Sequence, residues 1–166
     1  MKVIYAALVF ATIFIAGCAI PTGTRGLNPP ETSIWRGRLA IRVEPQQPQS
    51  QLQSFSAGFE LIGTPAAGEL TLYTPLGSTA AALSWTAQTA VMRAQGEVRY
   101  FDSLDALIKQ AIGTEIPVAA LFAWLAGDHM TVAGWSADLS QHAKGRITAH
   151  RIDPAPQAEL RLVLEK

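Results

Sequence analysis

The 166-residue chain predicts a mainly β domain of the α+β class. Two observations carry that expectation. Apolar residues recur at every second position in several short runs, which is the period of half-buried strands. Only two stretches, residues 102–113 and 117–127, space their apolar residues as helices do. An antiparallel sheet of about eight or nine strands with one apolar face must cover that face, and a twisted sheet of that width curls. The expected product is an open or partial barrel with two short helices packed in its mouth.

The N-terminus precedes that domain. Lys2 gives one positive charge, and "VIYAALVFATIFIAG" (residues 3–17) carries none. A basic start, an apolar middle and a small-residue exit read as a signal peptide over residues 1–17. As a helix this stretch spans roughly 22 Å at about 1.5 Å per residue, short of the ~30 Å hydrocarbon core. The exit "IAGC" resembles the bacterial lipobox, in which cleavage precedes a lipidated cysteine. Cys18 is the only cysteine of the chain, so an internal disulfide is excluded. The alternative is an ordinary signal peptide with an incidental cysteine. The lipobox resemblance implies covalent N-acyl and S-diacylglycerol groups on Cys18, and more than one chain is what stable anchoring needs. Ala19 follows, where Asp would favour the inner membrane in enteric-type sorting; the resemblance implies the outer membrane. Residues 18–33 are rich in Pro, Gly and Thr and read as a flexible tether. The domain is expected over residues 34–166.

Acidic and basic residues balance at 13 each. No basic excess points to nucleic acid, and a monomer is expected.

The strands follow in order. In "WRGRLAIRVE", Trp35, Leu39, Ile41 and Val43 share one face and Arg36, Arg38, Arg42 and Glu44 the other. Residues 45–53 are polar with two prolines and read as a hairpin loop. "SFSAGFELIG" puts Phe55, Ala57, Phe59 and Leu61 on one face, and "GELTLYT" does so with Leu70 and Leu72. "TAAALSW", "TAVMRAQ" and "EVRYFD" continue, the last two as a hairpin closed around Gly96. Six strands with short connections argue for an antiparallel meander.

Two helices interrupt. "DSLDALIKQAIG" spaces Leu104, Leu107, Ile108, Ala111 and Ile112 helically, with Asp102 or Ser103 as cap and Gly113 as terminator. "PVAALFAWLAG" begins at Pro117 and stops at Gly127. Val118, Leu121, Phe122 and Leu125 form its stripe, but the other positions are Ala or Trp. A helix apolar all round is expected to be buried on every side. The tail returns to strands at "GRITAHRI" and "AELRLVLEK", and "MTVAGWSADL" is expected to be a further strand.

Four pieces together resemble the LolB family of outer-membrane lipoprotein receptors. They are the lipobox at Cys18, "WRGRLAIRV" with "SFSAGFEL", "GELTLYTPLGSTAAAL", and "GTEIPVAALFAWLAG". The family often has Asn-Pro-Leu-Gly where this chain has Thr74-Pro75-Leu76-Gly77, and the mature chain is somewhat short after the second helix. The resemblance implies a curved antiparallel sheet forming an unclosed barrel, with the helices as a lid over an apolar cavity. It implies a receptor that accepts lipoproteins from the periplasmic carrier LolA and inserts them into the outer membrane from its periplasmic face. Lipoprotein acyl chains and outer-membrane lipid are the implied partners. Leu39, Ile41, Phe55, Phe59, Leu70 and Leu72 are candidates for the cavity wall, and Leu121, Phe122, Trp124 and Leu125 for the lid. Pattern alone leaves those same residues open to being core, which is what apolar faces at strand spacing most often are. Arg36, Arg38 and Arg42 are either a carrier-docking cluster or a solvated strand face.

No enzyme is indicated. His129, His142 and His150 fall in no metal-ligand spacing, so no metal and no cofactor beyond the lipid is expected. There is no GxSxG elbow and no Gly-rich phosphate loop. The rival function is a structural or assembly lipoprotein of the outer membrane that carries no lipid.

One turn stands apart. Thr74-Pro75-Leu76-Gly77 is a turn by composition, yet it carries a leucine near its tip. The leucine either folds back onto the core or stands exposed. The resemblance implies that Pro75, Leu76 and Gly77 form a protruding loop serving membrane insertion.

Overall fold

The computed structural model describes residues 33–45 and 52–165. The signal peptide, Cys18 and most of the tether lie outside the described residues.

Nine strands form one antiparallel sheet in the order β6-β5-β4-β3-β2-β1-β9-β8-β7. The first six are a meander: β1 (Ser33–Val43), β2 (Gln53–Gly63), β3 (Gly68–Tyr73), β4 (Thr79–Trp85), β5 (Ala90–Ala94) and β6 (Glu97–Phe101). Three more, β7 (Trp135–Asp138), β8 (Arg146–Arg151) and β9 (Ala158–Leu164), return to the other side of β1. β6 and β7 are the two edges, so the sheet curves without closing.

Alternation places the core. In β1, Leu39, Ile41 and Val43 are buried while Arg36, Arg38 and Arg42 are exposed. The inward rows continue across Ala57, Phe59 and Leu61 of β2, Leu70 and Leu72 of β3, and Leu160 and Leu162 of β9. Each fully buried Leu, Ile or Phe contributes about 1.5–3 kcal/mol relative to exposure. β1 and β2 are longer than their neighbours and pair from Ser33↔Gly63 to Val43↔Gln53, as a hairpin spanning the loop between them requires.

Helices α1 (Leu104–Ile112) and α2 (Val118–Ala126) lie across the concave face. Ser103 caps α1, its hydroxyl accepting the Ala106 N–H at 3.1 Å. Glycines 113 and 127, both left-handed, end α1 and α2. The expectation that α2 is buried on every side is corrected: Ala119 and Ala126 are exposed. Among the described residues, sheet lies beneath α2 and no further layer above it, and small alanines face outward at little cost in apolar exposure. The expected strand over "MTVAGWSADL" is also shorter than the run. Only Trp135–Asp138 pairs with β8, because residues 131–134 turn back on themselves with Trp135 N–H donating to Val132 O at 3.1 Å.

Candidate functional site: an apolar cavity and an exposed leucine loop

The cavity between sheet and helices is wholly apolar. Leu39, Phe59, Leu70, Leu160 and Leu162 line it from the sheet, and Leu121, Phe122 and Leu125 from α2. Its volume is about 30 Å³, room for a few water molecules at most and far less than one acyl chain needs. The reason is the seating of α2. Phe122 stands edge-on to Trp35 and to Trp85, at centroid distances of 5.4 and 6.4 Å, and fills the mouth.

The structure divides the ten residues named from the sequence. Leu39, Phe59, Leu70, Leu121, Phe122 and Leu125 line this cavity. Ile41 and Leu72 are each 1% exposed and lie in the same inward rows, one step nearer the β3–β4 turn. Phe55 and Leu72 line a separate, partly polar groove with Met92 and Ala111. Trp124 faces elsewhere. At about 100° per residue it lies well round α2 from the Leu121–Phe122–Leu125 stripe. Its indole N–H donates to Met130 O at 3.1 Å, and its ring packs 6.1 Å from that of Trp135.

Trp85, Ile108, Ile112, Ile116 and Val118 also line the cavity and were not singled out from the sequence. Trp85 ends the inward alternation of β4, and the isoleucines belong to the α1 stripe and the link after it. That signal was visible, but nothing in it separates lining from core.

α2 is tethered at its C-terminus. His142 Nε2 lies 3.0 Å from Leu125 O, so that nitrogen carries the proton in the donating tautomer. His142 precedes β8 in the turn η1 (His142–Lys144), and its ring packs beneath Gly127. Among the described residues, no group of three or more His, Cys, Asp or Glu is placed to hold a metal.

The β3–β4 connection projects from the sheet. Gly77 N–H donates to Thr74 O at 2.9 Å, closing a turn with Pro75 and Leu76 at its centre. Thr74 N–H donates to Ser78 O at 2.8 Å, and Ser78 N–H to the Thr74 hydroxyl at 3.2 Å. Proline presets the backbone angle for this turn. Gly77 takes φ +84° with nothing within 4 Å of a would-be Cβ, so glycine is required here by backbone conformation and not by space. These bonds hold Leu76 outward at 94% exposure.

Arg36, Arg38 and Arg42 project from the convex face of β1. Arg36 pairs with Glu60 of β2. Arg36 and Arg38 line a shallow groove that reaches Thr74, Pro75 and Gly77 at the base of the leucine loop. Arg42 lies outside that groove, beside Glu159 of β9.

The family model of the outer membrane lipoprotein LolB matches residues 34–160. Among curated relatives, the outer-membrane lipoprotein LolB of Bordetella pertussis is 37% identical over 90% of this chain and 86% of its own length. That of Bordetella petrii is 28% identical over 92% and 87%, and that of Cupriavidus metallidurans 29% identical over 81% and 65%. With the open nine-stranded sheet and its two covering helices, these matches over most of its length establish that the chain belongs to the LolB family of outer-membrane lipoproteins.

Proposed function

We propose that this chain is an outer-membrane lipoprotein receptor. It is anchored through lipid on Cys18 at the periplasmic face, accepts lipoproteins from the carrier LolA, and inserts them into the outer membrane. The observation that carries the reading is the pairing of a wholly apolar cavity under α2 with a turn that holds Leu76 in solvent. The cavity suits acyl chains. Burial is worth about 0.8 kcal/mol per CH₂, so several chains crossing bulk water would meet a prohibitive barrier, and handover from one apolar site to another avoids it. No energy source is needed if the receptor binds the chains more tightly than the carrier does. The cavity holds no chain at its present size, so α2 swings outward on acceptance. Membership of the family and its established lipoprotein character support the reading.

A second reading has one observation in its favour. A cavity of about 30 Å³ is also what a simply well-packed core leaves, and a structural lipoprotein would need no more. The two part in a transfer assay. Carrier loaded with lipoprotein is mixed with this protein and outer-membrane vesicles. The receptor reading expects lipoprotein to appear in the vesicles only when the protein is present, and no transfer would sink it.

A further inference from the structure

β6 (Glu97–Phe101) is one free edge of the sheet. It follows β5 through the turn Gln95-Gly96, in which both residues have positive φ, +54° and +79°. Such a turn closes on a hydrogen-bonded pair, here Ala94↔Glu97. Hydrogen-bonded and open pairs alternate along an antiparallel ladder. The backbone N–H and C=O groups of Glu97, Arg99 and Phe101 therefore face β5, and those of Val98 and Tyr100 face away from the sheet. Among the described residues, no other strand lies beside them.

Natural sheet edges carry protection: prolines, unpaired charges, a bulge or a covering segment. β6 has no proline, and its two charges cancel, Arg99 donating to Glu97 at 2.7 Å. Val98 and Tyr100 stand on its convex face at 51% and 80% exposure. The residues whose main chain is open are thus the same two that offer apolar side chains. The opposite edge, β7, differs. It is four residues long, and the chain before it folds back through a Val132–Trp135 bridge. α1 packs against β5 and β6, and its Ile108 and Ile112 line the apolar cavity. The β6 edge therefore borders the helix that walls the cavity.

We propose that β6 receives an extended segment of the carried lipoprotein as an added strand, held through the main chain of Val98 and Tyr100. The inference rests on the lipid-carrying reading above. A lipoprotein with its acyl chains under the helices has its polypeptide outside, beginning at the lipidated cysteine, and β6 is the longer of the two edges open to it. Main-chain pairing suits such a partner. It supplies affinity without reading sequence, and one receptor meets many cargo sequences. Val98 and Tyr100 add contact with whatever side chains lie opposite. A second copy of this chain fits worse. Pairing β6 with itself so that Val98 meets Tyr100 sets Arg99 directly opposite Arg99, and like charges facing across a ladder are destabilising.

The test uses the full-length protein in amphipol and reads amide exchange residue by residue by NMR. The ligand is a tripalmitoyl-cysteinyl peptide with a short extended tail and pyrene on one acyl chain to report uptake. Exchange at Val98 and Tyr100 should slow about tenfold or more on binding. Arg99, already bonded to β5, should change little. A tail of scrambled sequence should protect equally. N-methylation of alternate tail residues leaves one peptide edge free and should keep the protection, whereas N-methylation of every tail residue should abolish it. Val98→Pro removes one edge donor and no bond to β5. With its fold checked by circular dichroism, it should lose tail-dependent protection at Tyr100. If pyrene reports uptake while Val98 and Tyr100 exchange as in the free protein, the added strand is overturned and the lipid-carrying reading survives. Protection by a tail-less lipid, by the fully N-methylated tail, or by the carrier without cargo overturns it too. If wild type takes up no lipopeptide, both fall together.

Discussion

Phe122 of α2 meets Trp35 of β1 edge to face, with ring planes at 82° and centroids 5.4 Å apart. This contact joins the covering helix to the central strand and fixes how deeply the helix sits. Phe122 is 7% exposed, so Phe122→Ala should cost about 3–5 kcal/mol in denaturant unfolding. The same variant should enlarge the cavity and raise uptake of a fluorescent apolar probe. Lost stability with no gain in probe uptake would mean that the neighbours collapse into the space.

Leu76→Glu should leave stability within about 0.5 kcal/mol of wild type, because the side chain is 94% exposed. Acceptance of lipoprotein from the carrier should persist, and release into vesicles should fall. Measuring the two steps separately checks this. Equal loss of both would remove the loop from the release step.

Gly77→Ala probes the loop without touching the leucine. An alanine at φ +84° costs about 1–2 kcal/mol, whereas Gly77→Asn should cost less, because Asn tolerates the left-handed region. If backbone geometry alone matters, the ranking Gly, Asn, Ala should appear both in thermal midpoint and in vesicle release.

His142→Ala removes the donor that meets Leu125 O. We expect a stability loss of about 1 kcal/mol. Faster amide exchange should be confined to the last turn of α2. Exchange that rises evenly through β8 and α2 would mean that the ring acts by packing alone.

Glu115 gives the domain an acid-sensitive element. The Lys109 ammonium hydrogen-bonds its carboxylate and holds its pKa below the ordinary glutamate value of 4.5, with a smaller contribution from Arg151. A depressed folded pKa means that the stabilisation is present above the unfolded value and is lost as pH falls through the folded one. Thermal midpoints should therefore decline as pH drops below about 4.5, and Glu115→Gln should flatten that decline. Lys109→Met should flatten it similarly.

Much of this fold is legible in the chain because its cues are local. Alternation in "WRGRLAIRVE" places Leu39 inward and Arg38 outward, and Ser103 and Gly113 mark the ends of α1. The cavity lining is less legible. Period two tells which face Ile41 and Leu72 occupy but not their depth, and both lie beyond the space beside α2. Trp124 reads as lid because the whole helix is apolar; only its contact with Met130 and Trp135 shows which side it takes. A second cleft, lined by Thr114 of the link after α1 and by Arg151 at the end of β8, is not legible in the sequence. It forms where the link after α1 meets the end of β8, and no local pattern announces that meeting.

The helix over the cavity has a thermodynamic role. On the proposed receptor function, Leu121, Phe122 and Leu125 occupy the place that an acyl chain would take, so the protein would carry its own tethered competitor. A chain entering the cavity gains only the difference between its burial and that of the displaced side chains. The grip is thereby held below what apolar area alone would give. On the same proposal, departure of the chain for a bilayer would let α2 reseat and recover its packing against Trp35 and Trp85. If the proposed receptor function holds, larger lid residues are expected to speed release and smaller ones to strengthen retention.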